Sequence, residues 1–316
     1  MKNNKTIDIL IPAYNCEKYI EKCLNSLLAQ TYKDINIIVA NDGSTDGTTK
    51  ILKRFKDKYP NVITYSKPNE KSISKTRNFL LKKIKNEYFT FFDADDYAEP
   101  TYIEEMIKNL EIFNADISMC SKSRHNEKKN KKLNKINKKL NTIYFFNQEE
   151  AIAEMLSSNL YNGTVYCKLF KTNLLGDASF DENIHYGEDL DFCFKIMKKA
   201  NKFVFSNKKL YHYIIRKGSI VTSKFKESKL TCLDCYDNII SNIQDNEILT
   251  TCAKSMQGLI AVELLYYTFR DRYKNKNVKK RLKKLIGDSK PYIKKNKRLS
   301  KLLRCAPSVL WLTKFM

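Results

Sequence analysis

No stretch of about 18 consecutive apolar residues occurs in the 316-residue chain, which argues against a transmembrane helix. The start, MKNNKTIDILIPAYN, holds only a short apolar run and lacks the length and cleavage pattern of a signal peptide. The cysteines are nine, an odd number, scattered through predicted strands and helices. That pattern fits reduced thiols in a cytoplasmic protein and not a disulfide framework. Cys232 and Cys235 form a C-x-x-C, but no second pair of zinc ligands follows at a suitable spacing, so two helix cysteines are expected. No internal repeat is found. Zinc-finger and RNP signatures are absent too, so nucleic acid is not an expected partner.

Acids are outnumbered: 58 Lys and Arg face 35 Asp and Glu, a formal net charge of +23. The excess is concentrated. Residues 122–139 carry nine Lys/Arg and one acid, and residues 270–304 carry sixteen and two. The rest of the chain is nearly neutral. These two segments read either as solvated basic faces or as contacts for a polyanion such as an anionic membrane surface.

What is present is enough apolar residue, 42%, with 12% aromatic, for a sizeable core. The length suggests one large domain with an appendage. TIDILIPAY reads as a buried strand, and EKYIEKCLNSLLAQ has apolar residues at the spacing of one helix face. INIIVAND is a second strand and TTKILKRFKDKY a helix ended by Pro60. VITYSK is a short strand, followed by the helix SISKTRNFLLKKI with Ser72 as its N-cap. EYFTFFDAD is a strand, PTYIEEMIKNLEIF a helix, and ADISMCSK a strand. This alternation predicts a mostly parallel α/β sheet flanked by helices. The pattern breaks at the basic stretch 122–141, expected to be an exposed loop or hairpin. From about residue 223 the chain reads as basic, mainly amphipathic helices. The expected division is therefore 1–222 and 223–316.

In such a sheet, ligands bind beyond the carboxyl ends of the strands. Pro12-Ala13-Tyr14-Asn15 follow the first strand, Asn41-Asp42-Gly43 the second, and Asp93-Ala94-Asp95-Asp96 the fourth. Three gathered carboxylates repel unless a cation sits among them. A hard divalent ion, Mg²⁺ or Mn²⁺, suits oxygen ligands and bridges to phosphate. A second set of acids, Glu188, Asp189 and Asp191 in YGEDLDF, stands in the first turn of a predicted helix.

Six segments in order, ILIPAYNCEKYIEKCLNSLLAQTY, INIIVANDGSTDGT, SISKTRNFLL, FTFFDADD, GEDLDF and YHYIIRKGSI, make the chain resemble the family 2 glycosyltransferases of GT-A (Rossmann-like) fold. The resemblance spans roughly residues 6–220. It implies transfer of a sugar from a nucleotide diphospho-sugar, most often a UDP-sugar, to a glycan or lipid-linked hydroxyl in surface-polysaccharide synthesis. Inversion at the anomeric carbon is implied as well. By the same resemblance Pro12, Ala13 and Tyr14 line the nucleotide pocket and Asp42 meets the base edge. Asn41 stands where the family often has an acid. Arg77 lies near the donor phosphates, and Arg216 and Ser219 belong to a loop that closes over them. Asp93, Asp95 and Asp96 match the D-x-D-type motif, with the metal on Asp95, Asp96 or both, and His212 matches a position that can add a ligand. Asp189 is the implied general base, with Glu188 positioning the acceptor or orienting Asp189. A lipid-linked acceptor would place the enzyme in the cytoplasm, peripheral on the inner membrane face, held by the basic C-terminal helices. Two other functions fit parts of the pattern. A sugar nucleotidyltransferase shares the doubly wound fold, but it generally carries a glycine-rich loop after strand one, and PAYNCEKY has no glycine. An inactive, polyanion-binding scaffold leaves the acids unexplained.

Overall fold

Seven residues in a row, Ile7–Ala13, are buried on both faces and form β1, an interior strand of the sheet. A strand covered on both sides reads as a continuous apolar run, as this one does. Asp8 is the exception. Its carboxylate accepts bonds from the backbone N–H groups of Lys85 and Asn86 and from the side-chain amides of Asn36 and Asn86. A buried charge with four donors is a structural fastening.

The computed structural model describes residues 5–126, 131–132, 141–216 and 224–298. The chain divides into two compact units, each drawn from separate stretches. The first comprises Met1–Gln148, Thr164–Phe180 and Lys195–Lys217. It holds β1, β2 (Ile35–Asp42), β3 (Val62–Lys67), β4 (Tyr88–Phe91), β5 (Tyr97–Ala98), β6 (Ile117–Asn126), β7 (Lys131–Lys132), β8 (Ile143–Phe146), β9 (Lys168–Lys171) and β10 (Phe203–Ile215). The order is β3-β2-β1-β4-β9-β6-β10-β5, with β7 on β6 and β8 on β10.

The sheet is mixed. Strands β3, β2, β1 and β4 run parallel, as the strand–helix alternation predicts. The short β9 is wedged antiparallel between β4 and β6. In the stretch expected to be an exposed loop or hairpin, β6 continues to Asn126 beside the thirteen-residue β10, which supplies a parallel partner, and the end of β6 pairs antiparallel with β7 as a hairpin would.

Helices α1 (Ile20–Leu28), α2 (Thr48–Lys58), α3 (Ile73–Leu81) and α4 (Tyr102–Ile112) complete this unit. The Ser72 N-cap is present, its hydroxyl accepting from the Lys75 N–H at 3.4 Å. The core joins Ile7, Ile9 and Ile11 of β1 to Leu24 and Leu27 of α1, to Met106 and Leu110 of α4, and to Tyr211 of β10.

The second unit comprises Glu149–Gly163, Asp181–Phe194 and Gly218–Met316, so it is more than the expected region after residue 222. Internal bonds explain why the earlier stretches belong there. Asn246 donates to Glu149 at 2.6 Å, and Asn296 donates to Ser157 at 3.3 Å. Its helices are α5 (Gln148–Ser157), the start of α6 (Glu188–Met197), α7 (Thr231–Ser241), α8 (Glu247–Arg270) and α9 (Lys276–Lys295). By length and composition α8 could cross a bilayer, but 72% of its most apolar window is buried within the protein, as for the central helix of a helical core. The apolar stripe of α9, Val278, Leu282 and Ile286, packs with Leu264 and Leu265 of α8. Cys232 and Cys235 are buried on α7, as two helix cysteines should be.

Candidate active site

The loops after β1 and β2 are stitched to each other. The Asn15 N–H donates to Ser44 Oγ, and Asn15 Oδ1 accepts from the Thr45 N–H. Glu17 accepts from the Gly47 N–H while its own N–H donates to Asp46. Asn15 adopts φ 45°, a left-handed conformation that asparagine tolerates better than most residues. Between these loops, Pro12 and Ala13 are buried on β1 opposite Ala40 and Asn41, and Tyr14 is half exposed. Asn41 is occupied within its own loop, donating to Thr49 and accepting from the Ser44 N–H.

Asp42 ends β2 directly opposite Lys67, which ends β3. The Lys67 ammonium donates to Asp42 Oδ1 at 2.7 Å and also contacts Glu70. Both members of the pair are about nine-tenths covered. Gly43, next in the chain, has φ +66°, and a Cβ there would lie 2.6 Å from the Asn69 backbone nitrogen. Only glycine permits that close approach.

At the end of β4, ligand atoms of Asp93, Asp95 and Asp96 lie within 4.8 Å of one another, the only such cluster of three potential ligands among the described residues. Each acid has a protein partner. The Arg77 guanidinium is 3.8 Å from Asp93 and packs over the Phe180 ring. The Arg216 Nε lies 2.6 Å from Asp95, a charge contact without hydrogen-bond alignment. Asp96 is buried, and it accepts from the Tyr211 hydroxyl at 2.6 Å and from the Ile214 N–H at 2.8 Å. Burial, together with the Asp93 and Asp95 carboxylates, pushes its carboxyl well above the usual carboxylate range.

The set fits a hard divalent cation. Its donors are all carboxylate oxygens, they converge, and the crowding that raises Asp96 is relieved by positive charge. Both Asp96 oxygens retain lone pairs beyond the bonds they already accept.

His212 is not among the three ligands of this cluster. One ring nitrogen is 2.7 Å from Glu99 and the other 2.8 Å from His125, and the ring stacks on Tyr97 at 4.3 Å. Both nitrogens thus lie within hydrogen-bond distance of protein groups in this structure. Beside Asp95 and Asp96 opens a cleft of about 270 Å³, lined also by Lys18, Lys22, Tyr97 and His125.

Glu188 and Asp189 open α6 in the second unit. Gly187 just before them has φ +99°, and a Cβ there would lie 3.2 Å from the Cys232 Cα. The helix dipole favours acids in this first turn. Ser219 lies outside the described residues.

Tyr211 and Lys67, each bonded to a site carboxylate, are not among the residues singled out from the sequence. Their signal is positional: each comes beside its acid only through strand pairing.

The sequence model of the family described as "Glycosyl transferase family 2" matches residues 8–177. Among curated proteins, "Glycosyltransferase GlyA" of Streptococcus pneumoniae is 34% identical over 220 residues, covering 68% of this chain and 31% of GlyA. The "Poly(ribitol-phosphate) beta-N-acetylglucosaminyltransferase TarS" of Staphylococcus aureus is 26% identical over 222 residues, covering 69% of this chain and 37% of TarS. The chain thus spans about a third of the length of each of these relatives. Among solved structures, S. aureus TarS 1-349 in complex with UDP-GlcNAc superposes with TM-score 0.67 at 20% identity, covering 95% of this chain and 83% of that one. The mannosyltransferase PcManGT from Pyrobaculum calidifontis, in complex with GDP-Man and Mn2+, gives 0.58 at 15% identity, covering 98% and 88%. These superpositions carry the GT-A architecture, and the match over more than half of its length makes this chain a member of glycosyltransferase family 2.

Proposed function

We propose that this glycosyltransferase moves a hexose or N-acetylhexosamine from a UDP-sugar to a hydroxyl of a glycan or lipid-linked acceptor, with inversion and with a divalent metal. The observation that carries the proposal is the converging trio Asp93, Asp95 and Asp96 at a strand end of the sheet. The structural neighbour TarS, solved with UDP-GlcNAc, supports the donor class, and PcManGT, solved with GDP-Man and Mn2+, supports the metal.

Asp95 and Asp96 would hold the ion, with Asp93 beside them. Held there, Mn²⁺ or Mg²⁺ would supply positive charge to offset that of a nucleoside diphosphate leaving group. Arg77 and Arg216 add fixed positive charge on the same side. Pro12, Ala13 and Tyr14 line the nucleotide pocket in this reading, and Asp42 accepts the imide N–H of uracil. Asp189 takes the proton of the acceptor hydroxyl as it attacks the anomeric carbon, and Glu188 orients it. Attack from the face opposite the leaving group turns an α-linked donor into a β-linked product, with no covalent enzyme intermediate.

The acceptor belongs to surface-polysaccharide synthesis in this reading, a class supported by the poly(ribitol-phosphate) acceptor that TarS is named for. A lipid-linked acceptor places the enzyme at the inner membrane face. The apolar side of α9 is already taken up within its own unit, so contact with lipid there would be electrostatic, through exposed lysines, and not insertion.

The test is donor hydrolysis by the purified chain with Mn²⁺ or Mg²⁺ across UDP-, GDP- and dTDP-sugars, with and without EDTA. Release of nucleotide from one UDP-sugar, abolished by EDTA and by Asp95→Asn, is expected. Release that ignores EDTA would remove the metal from the mechanism.

A further inference from the structure

We infer that Lys67 is a positioning residue that sets which nucleobase the donor site accepts, by leaving Asp42 a single oxygen to offer. The inference rests on the proposed role of Asp42 at the base edge and goes beyond it.

The geometry is one-sided. Asp42 Oδ1 accepts from the Lys67 ammonium at 2.7 Å and from the Glu70 N–H at 3.4 Å. Among the described residues Oδ2 accepts no hydrogen bond, although Asp42 is only 6% exposed. Lys67 is itself fixed. It stands opposite Asp42 in the strand register, its ammonium also contacts Glu70, and Glu70 is in turn 3.6 Å from Lys75. Close packing of Asn69 on Gly43 holds the chain that carries Glu70 against the end of β2. The pairing raises the Lys67 ammonium above its ordinary value despite burial, so it stays charged at neutral pH.

A carboxylate can present one oxygen or two, and bases differ in which they match. Uracil and thymine offer one ring N–H between two carbonyl groups, so a single carboxylate oxygen satisfies them. Guanine offers a ring N–H beside an exocyclic amine, two donors side by side that call for both oxygens. Cytosine and adenine have an unprotonated ring nitrogen there, which repels a carboxylate. With Oδ1 held by Lys67, the pocket is matched to the uracil pattern. Guanine would leave one of its donors unmet, a loss worth about tenfold in affinity.

The experiment is calorimetric titration of the full chain with UDP, dTDP, GDP and CDP in the presence of Mg²⁺, without any sugar. It compares wild type with Lys67→Met, Lys67→Arg and Asp42→Asn. Lys67→Leu is run alongside, so that a folding defect in one variant, checked by thermal melting, does not hide the answer. Wild type is expected to prefer UDP over GDP by about tenfold or more. Lys67→Met and Lys67→Leu are expected to cut that ratio about tenfold by releasing Oδ1 from the ammonium, while Lys67→Arg keeps it. An unchanged ratio in Lys67→Met and Lys67→Leu, with the ratio lost in Asp42→Asn, overturns the role of Lys67 and leaves Asp42 as base reader. A ratio that survives Asp42→Asn, or a wild type that prefers GDP, overturns the reading of Asp42 itself.

Discussion

Three carboxylates at the end of β4 and six lysines along α9 are both clusters of like charge, but they are built differently. Asp93, Asp95 and Asp96 converge within 4.8 Å, and Asp96 is buried. Each is met by a guanidinium, a hydroxyl or a backbone N–H. Lys276, Lys280, Lys283, Lys284, Lys290 and Lys294 all lie exposed, while Val278, Leu282 and Ile286 of the same helix are buried. In water, charges a helical turn apart repel by about 1 kcal/mol or less, and salt screens that further. A cluster of like charge in a covered place therefore demands a partner of opposite sign, whereas the same cluster in solvent demands nothing.

The contrast can be broken most sharply at the acids. Asp95→Asn is expected to lower metal-dependent donor turnover by about a hundredfold or more, read by nucleotide release. Its thermal midpoint should stay near that of wild type, because the change relieves repulsion. A large loss of stability would make these acids structural. Gly43→Ala comes next. The residue sits at φ +66° with backbone 2.6 Å from the new Cβ, and it should lose about 3 kcal/mol in urea unfolding.

Asp116 extends the comparison to a single acid with good partners. Burial raises its carboxyl, but the N–H groups of Asn201 and Lys202 and the Lys171 ammonium outweigh that and hold it below the usual range. A lowered folded value stabilises fully above about pH 4 and loses its effect as pH falls through the folded value. Wild type should therefore lose about 1 kcal/mol more than Asp116→Asn between pH 5 and pH 3, followed by denaturant midpoints. The smallest effect belongs to α9. Lys280→Glu, Lys283→Glu and Lys290→Glu together should shift stability by no more than about 0.5 kcal/mol per site. If α9 meets an anionic membrane, the same triple change should abolish flotation with anionic vesicles at low salt. Equal flotation by both proteins would remove that contact.

Local chemistry made much of the first unit legible. The all-apolar β1, the amphipathic α1, the Ser72 cap and the acids after β4 each announce themselves within a few residues. What stayed hidden depends on pairing across long separations. The four-residue KLFK gives no sign that it will lie antiparallel between β4 and β6. Neither does the basic sequence after residue 122 reveal that β10 waits to pair with it. Lys67 reaches Asp42 across 25 residues and Tyr211 reaches Asp96 across 115, so neither could be found from its neighbours. His212 shows the converse. A motif position suggested a metal contact, and nothing nearby in the sequence announces that His125 and Glu99, 87 and 113 residues away, also lie within hydrogen-bond distance of its ring nitrogens.

The bonds that join the loop after β1 to the loop after β2 have a consequence for modularity. Asn15, Cys16 and Glu17 on one side and Ser44, Thr45, Asp46, Gly47 and Thr48 on the other exchange hydrogen bonds in both directions. Neither loop is an interchangeable part. A chimera that imported one of them from a relative would meet a neighbour shaped for a different mate. Imported as a pair, the two would arrive already fitted. The unit of inheritance at this edge of the sheet is two loops, separated in sequence by an entire helix and strand.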